Sequence, residues 1–322
     1  MPLPTDKKAL ALSQDLLQAL DSIFGLHPGH RPAHAKGILF SGMFRPSPQG
    51  ASLTRAPHLQ RETTPVTVRF SNSGGIPSLA DNDPNASPRG IAVRFHLAEH
   101  VHTDIIAHSH NGFPVQTAEE FLQFLRAVAA SNGATTKPTP LESFLASHPK
   151  ALQFAQAPKP IPTSFARESF FGVNAFRFTN KDGVSRYGRY RIIPEDGTEH
   201  LNESDAAAKT PDFLFDEIAA RIKRGPVQLQ VLVQLAESGD AVDDATAPWP
   251  ENRSLLQLGT IALTERVSEE DPEKRRIIFD PIPRVDGIDP SSDPLLEPRA
   301  DVYLMSGMRR RAATTNVSKA TK

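Results

Sequence analysis

Val66-Thr-Val-Arg-Phe-Ser71 alternates strictly: Val66, Val68 and Phe70 fall on one side of an extended chain, Thr67, Arg69 and Ser71 on the other. A strand patterned this way buries one face in a core and turns the other to a cavity or to water. Gly90 to Leu97 repeats the pattern with Ile91, Val93, Phe95 and Leu97. Ala175 to Thr179 and Val184 to Ile193 read as a hairpin across Asn180-Lys-Asp-Gly183. Val227 to Leu235 and Leu255 to Val267 add two more alternating strands.

Helical signals surround these strands. Lys8 to Phe24 places Leu12, Leu16, Leu17, Leu20 and Phe24 on one face. Thr117-Ala-Glu-Glu120 is a capping box opening a helix that buries Phe121, Phe124, Leu125 and Val128. The proline-rich stretch from Lys137 to Pro162 reads as helices joined by turns, and Asp212 to Lys223 as a helix stopped by Gly225 and Pro226. A last helix starts at Leu295 and runs into Arg309-Arg310-Arg311; the tail beyond has no apolar period and is predicted to be loose. The predicted fold class is α+β, an antiparallel β-barrel with surrounding helices, in one domain over 1–311 with a flexible tail over 312–322.

The composition narrows the chemistry. Of the 322 residues 39% are hydrophobic, enough for one substantial core, and the net charge of −1 gives no reason to expect nucleic acid or an anionic membrane as partner. With no cysteine there are no disulfides, thiolate metal sites or thiol nucleophiles, so His, Tyr, Ser and carboxylates must carry any reaction. No signal-peptide core and no apolar run of roughly 20 residues is present, which predicts a cytoplasmic protein.

Four groups of residues could carry that chemistry, and each has an ordinary structural reading beside the functional one. In Arg31-Pro-Ala-His-Ala-Lys-Gly37, His34 sits in a loop stiffened by proline, as an acid/base near neutral pH or as a solvated loop histidine. Arg69 and Ser71 share a strand face that either holds an anion in a cavity or is wet. Arg299, Tyr303 and Arg310 fall on one helical stripe. A guanidinium beside a phenol favours phenolate, and tyrosine is an axial ligand of haem; the same stripe could be a basic surface. Finally, His96, His100, His102, His108 and His110, with Asp104 among them, could bind zinc or non-haem iron.

Taken together and in this order, the first three groups resemble the haem-dependent catalase family over about His27 to Arg311. Arg31 to Gly37 matches the loop of the distal histidine. Val68-Arg-Phe-Ser71 with Gly74-Gly75, and Pro88-Arg-Gly90 through Phe95, match the two strands after it, while Arg299, Tyr303 and Arg310 match the proximal tyrosine helix. The resemblance implies haem, of type b, with Tyr303 as iron ligand kept as phenolate by Arg299. It implies His34 as distal acid/base oriented by Ser71, and Arg31, Arg69 and Arg310 on the propionates.

Two departures from the family pattern bear on activity. The chain stops soon after Arg311, without the wrapping and C-terminal regions of long catalases, and a monomer or homodimer is implied. The distal asparagine of the family is replaced at His108 or Ser109, which should weaken the placing of the second peroxide that disproportionation needs. The sequence is most similar to small catalase-related peroxidases, implying reduction of hydrogen peroxide or an organic hydroperoxide by a small organic donor. True catalase activity, hydroperoxide isomerisation and a non-haem metal barrel on the histidine cluster are the alternatives.

Overall fold

The structure, a computed structural model, describes residues 3–268 and 276–320, with side chains as far as residue 313. The strands are β1 (Gly37–Pro46), β2 (Thr64–Ser71), β3 (Gly90–Ala98), β4 (Val101–His108), β5 (Phe170–Phe171), β6 (Phe176–Thr179), β7 (Ser185–Pro194), β8 (Val227–Leu235), β9 (Leu255–Arg266) and β10 (Ile288–Pro290). All pair antiparallel in a single 10-stranded sheet of order β10-β6-β7-β5-β4-β3-β2-β1-β9-β8, and an additional pairing of β7 with β8 closes the run from β7 to β8 into a barrel. Closure removes the two sheet edges that would otherwise stay unpaired.

The period of two seen in the sequence decides what fills the barrel. Phe40, Val68, Phe70, Val93, Phe95, Ile192, Val231 and Ile261 point inward and are almost wholly buried. Phe70 alone meets three rings: Phe40 edge-on at 6.1 Å, Phe165 stacked at 5.2 Å and Phe170 at 5.9 Å. Such aromatic contacts add to the burial energy of each ring.

Outside the barrel lie helices α1 (Lys7–Phe24), α2 (Pro48–Leu53), α3 (Ala118–Ser131), α4 (Pro140–Ser147), α5 (Pro149–Gln156), α6 (Glu203–Ala207), α7 (Phe213–Arg224) and α8 (Leu296–Ala320). The capping box at Thr117 forms as predicted, with Glu120 returning to the Thr117 N–H, and a second one starts α4 at Thr139. Helices α1, α3 and α8 meet in a separate apolar cluster, where Leu16, Leu20, Leu122 and Leu125 pack with Val302. Ion pairs brace it: Arg309 of α8 to Asp21 of α1 at 2.5 and 2.9 Å, and Arg126 of α3 to Asp15 at 3.0 Å.

The fold class is therefore the predicted α+β barrel with helices around it. Strands β1, β4, β5 and β10 and helices α2 and α6 were not anticipated. The last helix continues past Arg311 to Ala320, over most of the 312–322 tail that the sequence reading expected to be loose; residues 321 and 322 lie outside the described residues.

Candidate active site

The outer face of the same barrel strands builds one wall of a deep cavity. Cross-strand register puts Gly37, Ser71, Gly90, His108 and Phe171 in one row across β1, β2, β3, β4 and β5. Partners directly opposite in an antiparallel ladder share a face, so this row, and the row Arg69, Ala92 and Ile106 beside it, point the same way. All of these except Gly37 line the cavity.

His34 reaches this wall from the loop before β1. Its backbone is left-handed, with φ of 56°, a conformation that costs a non-glycine residue free energy and marks positions held by their surroundings. The hold is visible: His34 N–H donates to Ser73 C=O at 2.9 Å and Ala35 N–H to Gly74 C=O at 3.0 Å. His34 Nδ1 lies 3.0 Å from Ser71 Oγ. The ring occupies the notch left where Gly90 has no side chain, since a Cβ there would come within 2.8 Å of His34 Nδ1 and Cε1 and 2.7 Å of Ser71 Oγ. Burial, with Arg69 and Arg31 nearby, pushes His34 down to about 3, so the ring is neutral; in the tautomer whose Nδ1–H donates to Ser71 Oγ, Nε2 is the basic nitrogen.

Three guanidinium groups share one side of the cavity. Arg31 donates to Ile277 C=O at 3.0 Å, Arg69 to His34 C=O at 2.9 Å and Ala35 C=O at 3.2 Å, and Arg310 to Ile277 C=O at 3.2 Å. Burial and the charges of Arg69 and Arg310 hold Arg31 well below the usual guanidinium range, and burial brings Arg310 to about 10. Cations that repel one another in a buried wall are relieved by a buried anion, and two carboxylates suit three forked donors.

Helix α8, which carries Arg310, lines the cavity as well. Arg299 and Tyr303 are one turn apart, and Arg299 Nη2 donates to Tyr303 Oη at 3.3 Å. Arg299 is itself held from behind: its Nη1 donates to Asn174 Oδ1, and Asn174 Nδ2 donates to buried Asp293 at 2.8 Å. Asp293 accepts the N–H of Leu295 at 3.0 Å just before α8 begins. The phenol thus stands at the end of a fixed chain of donors and acceptors. Apolar residues complete the walls, among them Leu16 and Leu20 of α1, Phe113, Phe121 and Val302.

The structure brings all the predicted site residues, Arg31, His34, Arg69, Ser71, Arg299, Tyr303 and Arg310, to this cavity. Of the two candidates for the altered distal position, His108 lines it. Ser109 turns away, its N–H donating to Arg89 C=O at 2.8 Å and its Oγ accepting from Arg89 N–H at 2.9 Å. The five histidines of the cluster do not converge. His96 bonds Thr67 at 2.9 Å, His100 is exposed beside Glu99, and His110 meets Phe154 edge-on. Asp104, considered as a metal ligand, pairs with Arg94 at 2.6 Å. Among the described residues no group of three potential ligands forms.

Sequence reasoning missed Asn174 and Asp293. Asn174 meets Arg299 and Asp293 across more than a hundred residues of chain, and Asp293, although just before α8, joins the site only through that contact.

The donor set suits a haem: a phenol, a neutral imidazole, three cations for two carboxylates, and a sheet face kept low by Gly90 and Ala92.

Comparison with known proteins gives the same direction. The family model described as Catalase matches residues 27–319. A catalase-related peroxidase of Mycolicibacterium paratuberculosis is 38% identical over 90% of this chain and 92% of its own length. One from Synechococcus elongatus is 31% identical over 92% and 87%. Among solved structures, a fungal catalase superposes with a TM-score of 0.77 at 21% identity, and catalase A of Saccharomyces cerevisiae with 0.75 at 21%. The chain covers 87% of itself in both matches but only 59% and 61% of those longer proteins.

Proposed function

The chain belongs to the catalase family, and from that premise we propose that it is a haem peroxidase, reducing hydrogen peroxide or an organic hydroperoxide with a small organic electron donor. The observation that carries the reading is one cavity lined by two pairs, His34 with Ser71 of β2 and Tyr303 with Arg299 of α8. The two relatives named as catalase-related peroxidases match this chain nearly end to end, whereas the longer catalases extend well beyond it. This favours peroxidase over disproportionation.

Haem b, when bound, supplies an iron centre that peroxide oxidises and organic donors reduce. Tyr303 would hold the metal through its phenolate oxygen, with the Arg299 donor favouring that ionised form. Arg31, Arg69 and Arg310 would take the two carboxylates. His34 Nε2 accepts the proton of the peroxide and returns it to the departing oxygen, so that water leaves rather than hydroxide. Ser71 keeps the ring in place for both transfers through Nδ1. The apolar walls exclude water from the reacting atoms.

We place the enzyme in the cytoplasm as a monomer or homodimer. No described helix is long and apolar enough to cross a membrane.

The test is an absorption spectrum of the purified protein with haem, beside Tyr303→Phe. A high-spin ferric spectrum with a phenolate charge-transfer band, lost in the variant together with turnover, is the expected result. Full activity in Tyr303→Phe would overturn the assignment. Oxygen release from peroxide without any donor, faster than donor oxidation, would move the reading to true catalase activity.

A further inference from the structure

Residues 72–89 join β2 to β3 through a long connection whose only regular element is one 3₁₀ turn, Pro84–Ala86. Connections of that length in compact folds usually serve a function. This one holds the His34 backbone. Ser73, whose C=O accepts the His34 N–H, is fixed in turn: its N–H donates to Ala86 C=O at 3.1 Å and its Oγ to Ser87 C=O at 2.8 Å. In the same loop stands Asp81, whose side chain has no exposed surface.

Asp81 Oδ1 accepts from Lys36 Nζ at 2.7 Å and from Asn72 Nδ2 at 2.8 Å, and its Oδ2 accepts the Leu214 N–H at 2.8 Å. Arg89 completes the network, donating to Asn72 Oδ1 at 2.7 Å and to Asp81 C=O at 2.5 Å. A carboxylate buried this deep is costly unless donors and charges meet it, and neutralising it leaves buried partners uncompensated.

The partners are chain neighbours of the residues that seat the imidazole. Lys36 lies two residues after His34, Asn72 follows Ser71, and Arg89 precedes Gly90. Ser71 supplies the hydroxyl at His34 Nδ1, and Gly90 leaves the room that the ring fills. The backbones are joined as well, since Asn72 N–H donates to Lys36 C=O at 3.2 Å. Asp81 N–H donates to Pro211 C=O at 2.8 Å, so the network is fastened to the start of α7, whose Leu214 and Ile218 are wholly buried in the barrel core. His34 keeps its left-handed backbone only because its surroundings hold it there.

We propose that Asp81 is a positioning residue for His34, fixing Lys36, Asn72 and Arg89 together so that the imidazole stays where it can take a proton from the incoming oxidant. The inference rests on the haem peroxidase reading. Asp81 does not line the cavity and exchanges no proton. It acts through its partners, so its loss should slow the step that needs His34 and spare the steps that do not.

The experiment compares two ligands of the haem-loaded protein by stopped flow. Cyanide enters as HCN and gives its proton to a base on binding, whereas nitric oxide binds without giving one up. A misplacement of about 1 Å costs roughly 100-fold in rate, and the partial loosening in Asp81→Asn should slow cyanide association about tenfold. Nitric oxide association should not change. For turnover, kcat/KM for peroxide should fall with the cyanide rate while KM for the donor holds. Lys36→Gln leaves Asp81 its bonds to Asn72 and Leu214 and should show the same split more weakly, which keeps the test open if Asp81→Asn does not fold. Unchanged cyanide association in the folded, haem-loaded variants, or equal slowing of both ligands, would overturn the proposal while leaving the peroxidase reading intact. A wild-type protein that takes up no haem would overturn both.

Discussion

The two faces of β2 obey one alternation and serve opposite ends. Val66, Val68 and Phe70 enter the barrel core, where what matters is volume and apolar contact. Arg69 and Ser71 line the cavity, where what matters is which atom points where. The inner face should therefore respond to substitution through stability and the outer face through turnover, with little crossing between them. Register is the reason a single strand can do both: a slip by one residue would send the arginine into the core and the phenylalanine into the site.

The largest effect should come from the inner face. Phe70→Ala removes a ring packed against three others and should lower unfolding free energy by about 3–5 kcal/mol in denaturant titration, with the turnover of the remaining folded, haem-loaded protein little changed. Should turnover per folded molecule fall steeply instead, the two faces are not separable.

Next is Gly90→Ala, the reverse case. The added Cβ would collide with the His34 ring and Ser71, and displacing a catalytic group by about 1 Å costs roughly 100-fold in rate. Measured by kcat at saturating peroxide, that loss should appear with haem binding retained.

A histidine from the turn before β2, packed against the inner-face rings, is an exception that sharpens the contrast. His58 is buried beside Phe95, ring centroids 4.7 Å apart, its Nδ1 has no partner among the described residues, and burial pushes it down to about 3. The unfolded chain takes up a proton at this residue near pH 6.5, while the folded one does not until far lower. The unfolded state therefore binds more protons below pH 6.5, and the stability present above that pH is lost as the pH falls. Between pH 7 and pH 5 this residue should cost about 2 kcal/mol, and His58→Leu should flatten that part of the pH–stability curve. Equal slopes in both proteins would show that His58 is not the buried neutral group described.

The smallest effect belongs to Ser71→Ala. Without the 3.0 Å contact to His34 Nδ1, kcat should fall about tenfold, the worth of one hydrogen bond, and unfolding free energy should change little. Ser71→Thr should recover part of the rate.

Much of this was legible in the sequence because it depends on local period. The alternation in 66–71, the rigid loop around His34 and the stripe from Arg299 to Arg310 each declare a face, and the chain uses those faces. What stayed hidden depends on distant contact. Strand β1, Gly-Ile-Leu-Phe-Ser-Gly-Met-Phe-Arg-Pro, has its pairing with β9 interrupted by a register shift at Ser41/Gly42, so its period is blurred. Around β4 the histidines suggested a metal cluster, whereas pairing with β3 sets His102 opposite His96 and leaves His108 at the far end of the strand, opposite Gly90. Asn174 and Asp293 gain their meaning only where α8 docks.

The cavity takes Leu16 and Leu20 from α1 and Tyr303 and Arg310 from α8, and Arg309 ties the two helices together through Asp21. Those elements leave the ribosome far apart in time. At about 5–20 residues per second, α8 follows α1 by roughly 15–60 s, during which the emerging polypeptide has a barrel in the making and only half of its pocket. On the proposed reading, haem capture is then a late event in biogenesis, completed by α8 rather than nucleating the fold. A nascent chain stalled before α8 would have the apolar side of α1 covered by α3 alone.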